Sequence, residues 1–419
     1  MNHFGKASTM ADTTKAPAKS AAEHGMGDTG APQATSINRT EGMPPVSDEA
    51  TQSQLRSETR QQPHASAQSP KLFTPTSSST SAESAKPLRS PKPLKDRTQT
   101  TILIICGGLS HERDISISSG HRVGGFLEDA GFKIRFHDMD GELLQYLADP
   151  QTRPDLVWPL LHGANGEDGS IRDILEMEDL PYVGSRAKAS RTAWSKPIAK
   201  NVVRKLAGLS TPHSVTLPES MFRELGASKI IELLERSMGL PLFVKPTMGG
   251  SALGCTLVKE AQQLPQAMVS CFAYGDVALI EQAVTGTEVS VSILDIDGKP
   301  LVLPPLEVST PNGTYDYDAR YTPGPTDFYV PARLPQPVLT AVQDAALAAH
   351  QTLSLRDISR TDFIVDANGV PQFLESNVTP GMTDTSMLPQ AAVAAGYALP
   401  DLYSRLAESV LRQNRAAKG

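Results

Sequence analysis

From Thr101 onward the chain alternates short apolar runs with stretches of helical spacing, and that alternation restricts its fold more than any other feature. The run Thr101-Ile-Leu-Ile-Ile-Cys106 stops at Gly107-Gly108 and reads as a buried strand closed by a tight turn. Ser116–Ala130 then offers Val123, Phe126 and Leu127 to one helix face, and Phe132–His137 and Leu156–Pro159 read as further strands. Parallel neighbours need a crossover long enough to hold a helix, so this order predicts an α/β unit with a doubly wound sheet over residues 99–185.

Two more units follow. Residues 186–285 contain helices around 195–207 and 227–238 and strands at Leu242–Lys245, Cys255–Val258 and Ala278–Gln282. Residues 286–413 open with the alternating strand Glu288–Leu294. They continue through a helix around 336–353, paired strands at 361–366 and 371–375, and a final helix around 400–412. The sequence carries no internal repeat.

Residues 1–98 are different material. Ser, Thr, Ala, Pro and Gln dominate there, while both Trp, all nine Tyr and all three Cys lie beyond residue 97. Such a segment cannot bury enough apolar area to offset its ordering entropy, which predicts a disordered extension. Its basic, proline-spaced end, Lys86 to Arg97, reads as a solvated semi-rigid linker or a contact for an anionic surface. The first 97 residues carry 12 Lys/Arg against 9 Asp/Glu, so the formal charge of −7 leaves the remainder at −10. A body so charged is not built to track nucleic-acid phosphates. Cys106, Cys255 and Cys271 form no CxxC pair, which argues for a reducing compartment and against a disulfide framework or structural zinc. No apolar run approaches a membrane span and no secretory signal is visible, so the expected location is the cytoplasm, away from the membrane.

The chemistry-bearing residues concentrate in a few places. Asp362 lies in the apolar strand TDFIVD, Glu375 and Asn377 end the strand PQFLESN, and Asp366-Ala-Asn-Gly369 between them is a turn signal. Glu375 and Asn377, two apart, share one strand face, and hairpin pairing can bring Asp362 onto it. Two carboxylates and an amide oxygen suit Mg²⁺ bridging nucleotide phosphates, although a strand end can also simply expose polar side chains. The following loop, Asn377-Val-Thr-Pro-Gly-Met-Thr-Asp-Thr-Ser-Met-Leu-Pro389, offers backbone N–H groups for a carboxylate or an oxyanion, or ordinary helix capping. Lys245 stands at a strand end before the glycine-rich stretch Gly249–Gly254, a loop able to cradle phosphates yet unlike a P-loop, since the lysine precedes the glycines. Glu281 to Glu288 joins two units and reads as an interdomain linker, or as an edge for adenine with Glu288 accepting ribose hydroxyls. Leu161-His-Gly-Ala-Asn-Gly-Glu-Asp-Gly169 and Gly107-Gly-Leu-Ser-His-Glu112 are polar loops after strands, where α/β sheets carry their active sites.

Taken in order, GGLSHERDISISSG, LHGANGEDG, PYVGS, FVKP with its glycine loop, EQAVTGTEVSV, YDYDARY and LESNVTPGMTDTS resemble the D-alanine–D-alanine ligases over residues 101 to 412. The resemblance implies an ATP-grasp fold with nucleotide between the second and third units. It implies phosphate contacts from Lys196 and Lys245, adenine contacts from Glu281, Gln282, Ala283 and Val284, and a ribose contact from Glu288. Asp362, Glu375 and Asn377 would hold two Mg²⁺ ions, a place Mn²⁺ can also take, with Glu375 bridging. Glu112 would bind the first amino acid's ammonium, and His162 would help position its carboxylate. Glu112, Ser251 and Tyr321 would tie the first unit to the closing loops. Arg360 and the Gly381 amide would stabilise the oxyanion, while Ser386 and the Met387 amide would hold the second substrate's carboxylate.

The implied activity is ATP-dependent joining of two D-alanines through an acyl phosphate for peptidoglycan synthesis, by an enzyme whose family expectation is a homodimer. The alternatives are a related ligase using D-lactate, D-serine or another amino acid, and a non-catalytic nucleotide-binding regulator. Tyr321 speaks against the lactate version, whose members tend to lack that tyrosine. The chain departs from the family pattern at Arg320, Ala252, Met387 and Trp194-Ser195, none of them a metal ligand or phosphate contact.

Overall fold

A computed structural model describes residues 96–310, 315 and 326–418, all within the unit Ala82–Gly419. Nearly all of the N-terminal extension therefore lies outside the described residues, and so does Tyr321.

The first sheet is formed by β1 (Thr101–Ile105), β2 (Lys133–His137) and β3 (Leu156–Pro159), parallel in the order β2-β1-β3. Alternate residues of β1 face opposite ways. Ile102 and Ile104 pack with Val123 and Leu127 of the helix Arg113–Asp129. Leu103 and Ile105 pack with Leu143, Leu147, Ile171 and Leu175 on the other face. The expected doubly wound arrangement is present, and both Gly107 and Gly108 take left-handed φ values (+101° and +78°) where the chain turns off β1.

The second sheet is antiparallel, built from β4 (Ser214–Pro218), β5 (Leu242–Pro246), β6 (Thr256–Val258) and β7 (Val277–Gln282) in the order β4-β7-β5-β6. The helices Ala227–Met238 and Leu264–Phe272 cover its apolar face. The edge strand β4 has no fully buried residue, which is why its sequence gave no strand signal.

The third sheet contains β8 (Gly286–Ile296), β9 (Lys299–Val302), β10 (Leu306–Ser309), β11 (Asp327–Tyr329), β12 (Ile358–Asp366) and β13 (Pro371–Asn377). Its order is β11-β10-β8-β12-β13, with β9 also on β8. Asp366 Oδ1 accepts the Asn368 and Val370 N–H groups at 2.9 and 3.0 Å and holds the β12–β13 turn, with Gly369 at φ +76°. Phe363 and Phe373 meet edge to face at 6.1 Å, worth about 0.5–1.5 kcal/mol beyond their buried area.

Two packing relations govern the site. The helix Lys196–Ala207 packs Ala199 and Val203 against Val289, Phe363 and Phe373, so its lysines approach from the third sheet's side. The helix Leu399–Lys418 buries Leu402, Tyr403 and Leu406 in one core with Ile102, Ile104 and Leu294, which joins the first sheet to the third.

Candidate active site

The β12–β13 hairpin sets its polar residues in facing pairs. Asp362 lies opposite Glu375, and Arg360 opposite Asn377, with a bulge between Asp362 and Phe363. Facing residues of an antiparallel pair share a side, so all four project together. Arg360 grips Asp362 through Nε (2.8 Å) and Nη2 (2.9 Å). Ser290 Oγ donates to Asp362 Oδ1 at 2.7 Å, and Asn377 Nδ2 donates to Oδ2 at 3.0 Å. Glu375 Oε2 lies 3.0 Å from Lys196 Nζ. Burial works against the Arg360 charge, but the Asp362 carboxylate more than offsets it and holds the guanidinium's pKa above its ordinary value. Two carboxylates and an amide at one hairpin end are a hard-oxygen donor set that fits Mg²⁺. Among the described residues no three His, Cys, Asp or Glu side chains gather as a metal site, so such a set depends on Asn377.

Above the hairpin a cleft of about 1030 Å³ opens between the second and third sheets. Lys196, Lys245, Glu281, Gln282, Ala283, Val284 and Glu288, the residues expected around a nucleotide, all line it. Phe243, Leu257, Ile364 and Leu374 supply apolar walls. Glu281 on β7 faces Phe243 on β5, which makes Lys245 its diagonal neighbour, with Nζ 2.6 Å from Oε2. Lys200 Nζ reaches Glu281 Oε1 at 2.5 Å from the other side. Burial alone would raise the Glu281 pKa, yet Lys245 and Lys200 together hold it below the usual carboxylate range. The same burial brings Lys200 down to about 8, against the pull of Glu281. Lys196 Nζ also donates to the Gly249 carbonyl at 2.6 Å, so it touches the glycine loop as well as Glu375.

A second cleft, about 770 Å³, lies between the first sheet's loops and the third sheet. It gathers Glu112, His162, Ser251, Arg360, Gly381, Ser386 and Met387, the set expected around the amino acids. Ser251 Oγ donates to Glu112 Oε1, a contact between the glycine loop and the first unit. Ser251 and Ala252 take left-handed backbone at φ +52° and +56°, unusual for residues with a Cβ and costly unless their surroundings hold them. A Cβ on Gly250 would stand 3.2 Å from Glu112 Oε2, so the carboxylate rests on bare backbone there. Tyr321, the expected third member of this set, lies outside the described residues.

His162 lines this cleft and is bonded on both sides of its ring. Its Nδ1 faces the Thr379 carbonyl at 3.0 Å and must carry the proton, while Nε2 faces Ser119 Oγ at 3.2 Å. Ser119 Oγ in turn accepts the Met382 N–H at 3.2 Å. Burial lowers the imidazole pKa, consistent with this neutral tautomer. Both ring nitrogens are engaged, so the ring braces the turn that carries Gly381 at the wall of the cleft. Ser386 occupies the N-cap position of the helix Met387–Ala394 but makes no capping bond. Its Oγ accepts the Thr383 N–H at 3.0 Å and sits so close to Gly381 that a Cβ there would be 2.7 Å away.

Three residues went unmarked in the sequence reading. Lys200 stands four residues after Lys196 and shares its helix face, a spacing that could have flagged it. Glu167 lines the second cleft, accepts the Gly163 N–H at 3.0 Å, and is pushed up to about 8 by burial and then by Glu112. Thr379 accepts a hydrogen bond from Arg172 Nη2 at 2.8 Å. Its pairing with Arg172, 207 residues away in sequence, left no local sign. The two clefts meet at Gly250, Tyr315 and Glu375.

Comparison with known proteins agrees with this arrangement. Residues 203–408 match the family model for the D-ala D-ala ligase C-terminus, and residues 142–185 match that for the N-terminus. A D-alanine–D-alanine ligase of Pelotomaculum thermopropionicum is 37% identical over 73% of this chain and 95% of its own length. One of Moorella thermoacetica is 36% identical over 74% and 99%. Among solved structures, the Bacillus anthracis D-alanine–D-alanine ligase complexed with ATP matches with a TM-score of 0.63 at 28% identity, over 76% of this chain and 99% of that one. The VanG D-Ala:D-Ser ligase of Enterococcus faecalis matches with a TM-score of 0.62 at 27% identity, over 73% and 98%. With near-complete relatives at this identity and both family models matched in order, the chain belongs to the D-alanine–D-alanine ligase family, enzymes of the ligase class with the ATP-grasp fold.

Proposed function

We propose that this chain joins two D-alanines into D-alanyl-D-alanine with consumption of ATP, in the cytoplasm and as a homodimer, for peptidoglycan synthesis. The observation that carries the reading is the meeting of the two clefts at Glu375, where a phosphoryl donor in one and a carboxylate in the other would come together. In this reading the protein has three lobes, residues 99–185, 186–285 and 286–413. The nucleotide lies between the last two and the amino acids between the first and third.

The residues then divide the work. Glu281 and the backbone through Val284 hold adenine, Glu288 holds the ribose, and Lys196 and Lys245 meet the phosphates. Asp362, Glu375 and Asn377 would hold the divalent ions, two Mg²⁺ or Mn²⁺, whose charge would offset that of the phosphates. Glu112 takes the ammonium of the first D-alanine. The carboxylate oxygen of this first D-alanine attacks the γ-phosphorus of ATP, the bond to the β-γ bridging oxygen breaks, and ADP leaves. Ser386 and the Met387 amide hold the carboxylate of the second D-alanine, whose neutral amine attacks the acyl carbon. Arg360 and the Gly381 amide stabilise the developing oxyanion, the attacking nitrogen gives up one proton to solvent, and phosphate leaves as the amide forms. His162 keeps the Gly381 turn in place through Thr379 and Ser119. The acyl phosphate hydrolyses readily, so the contact of Ser251 with Glu112 serves to close the glycine loop over it.

The test is ADP release with D-alanine, L-alanine, D-lactate and D-serine supplied singly and in pairs. Release with D-alanine alone, accompanied by the dipeptide, is expected. Release that requires D-serine or D-lactate beside D-alanine would replace this product with another, and no release with any pair would remove the ligase reading.

A further inference from the structure

We infer that Lys200 is a positioning residue for nucleobase recognition, reaching from behind the lining of the nucleotide cleft to fix the Glu281 carboxylate as the acceptor that an adenine amino group meets; this rests on the nucleotide placement proposed above. Lys200 comes from the helix Lys196–Ala207, whose apolar side packs on the third sheet, whereas Glu281 ends β7 of the second. Lys196 and Lys200 lie four apart on one face, Lys196 in the cleft wall and Lys200 buried behind it. Lys196 meets Glu375, and Lys200 meets Glu281 at 2.5 Å while donating to the Phe373 carbonyl at 3.2 Å. Lys200, Glu281 and Lys245 are each at most 5% exposed.

The placement has a chemical consequence. Lys245 stands at a strand end beside the glycine loop, and reaching a phosphate loosens its hold on Glu281. Lys200 makes no such move, so it keeps one carboxylate oxygen anchored while the other partner turns away. An ionised carboxylate only accepts hydrogen bonds, and its two oxygens offer about four lone-pair sites, enough for both lysines and a ligand. Adenine presents an amino group at its 6-position, but guanine presents a carbonyl oxygen there. A fixed, ionised Glu281 welcomes the first and repels the second. Lys200 therefore supports the choice of ATP over GTP as well as affinity.

The experiment compares the wild-type chain with Lys200→Met, Lys200→Gln and Lys200→Arg. ATP and GTP binding are measured calorimetrically without amino acids, beside a thermal melt to verify folding. Lys200→Met should weaken ATP binding by about ten-fold or more, on the order of losing one buried charged contact, and weaken GTP much less. The ATP-to-GTP preference then falls, and Lys200→Arg restores most of it. In turnover, the KM for ATP should rise more than kcat falls. Equal losses for both nucleotides, or a folded Lys200→Met with wild-type affinity and preference, would overturn the inference. Should Lys200→Met fail to fold, Lys200→Gln is read by the same ratio. A wild-type chain that binds no ATP would instead overturn the proposed function itself.

Discussion

The two clefts are made of different material. Around the nucleotide cleft, Lys245, Glu281, Glu288 and Glu375 stand on β5, β7, β8 and β13, and their spacing is fixed by sheet registers. Around the amino-acid cleft, Glu112, His162, Ser251, Gly381 and Ser386 all stand outside strands, on loops and turns. They are held by contacts between distant parts of the chain: Ser251 to Glu112, His162 to Thr379, Arg172 to Thr379. One cleft is set by backbone ladders and the other by docking. The first should keep its architecture when a single side-chain contact is lost, so that the cost falls on the nucleotide alone, while in the second the loss of one loop contact should cost amino-acid affinity.

Glu375 belongs to both clefts, so its loss should erase the distinction between them. Glu375→Ala removes a carboxylate from the hairpin's donor set and leaves the buried Lys196 without its ion pair. We expect turnover to fall at least about a thousand-fold, the scale of losing a principal electrostatic contact to the transferring group. ADP release at saturating substrates, titrated with Mg²⁺, measures it. Near wild-type turnover would mean that phosphoryl transfer does not happen where the clefts join.

The same contrast governs what the sequence makes legible. The hairpin could be read directly: an Asp-Ala-Asn-Gly turn between two apolar runs fixes the register that sets Asp362 beside Glu375. The strands β5 and β7 were similarly readable because their buried residues run together. Loop residues carry no periodicity, so their glycine-rich and polar loops can be marked as candidate site segments, but the roles of Glu112, Ser251 and Ser386 come only through the family resemblance. That resemblance names His162 but says nothing of Ser119 and Thr379, which join it only by folding, 43 and 217 residues away. The edge strands β4, β9 and β11 are short or half exposed, and β10, between β11 and β8, is only four residues long, so none of them carries a clear strand pattern.

Cutting one docking contact separates the clefts. Ser251→Ala removes the hydroxyl that meets Glu112 while leaving a residue of similar backbone preference at φ +52°. A hydrogen bond to a charged group is worth about 1.5–3 kcal/mol, so the KM for the first amino acid should rise roughly 10- to 100-fold. ATP affinity, measured without amino acids, should stay within about a factor of three. An equal loss in ATP binding would show that the glycine loop acts as one unit and that the clefts cannot be told apart this way.

The smallest effect tests the docking of the first sheet on the third, away from either cleft. Asp357 Oδ2 accepts the Gly184 N–H at 2.8 Å across that junction, with Arg356 Nε 3.5 Å away. Asp357 is 1% exposed, and burial raises its pKa to about 6 despite Arg356. The native state thus holds a proton that the unfolded chain, with an ordinary carboxylate, releases near pH 4. Between about pH 4 and pH 6 the native state binds more protons, so stability falls as pH rises through that window and levels off above it. Asp357→Asn keeps an acceptor for Gly184, suits the left-handed backbone (φ +63°) and does not titrate. Relative to wild type, it should gain stability over that window by up to about 1–3 kcal/mol, read as urea midpoints at pH 4, 5, 6 and 7. ATP affinity should not change, since the nucleotide cleft does not draw on this junction. Parallel pH curves for the two proteins would show that Asp357 carries no buried proton, and a shift in ATP affinity would show that the junction reaches further than the amino-acid side.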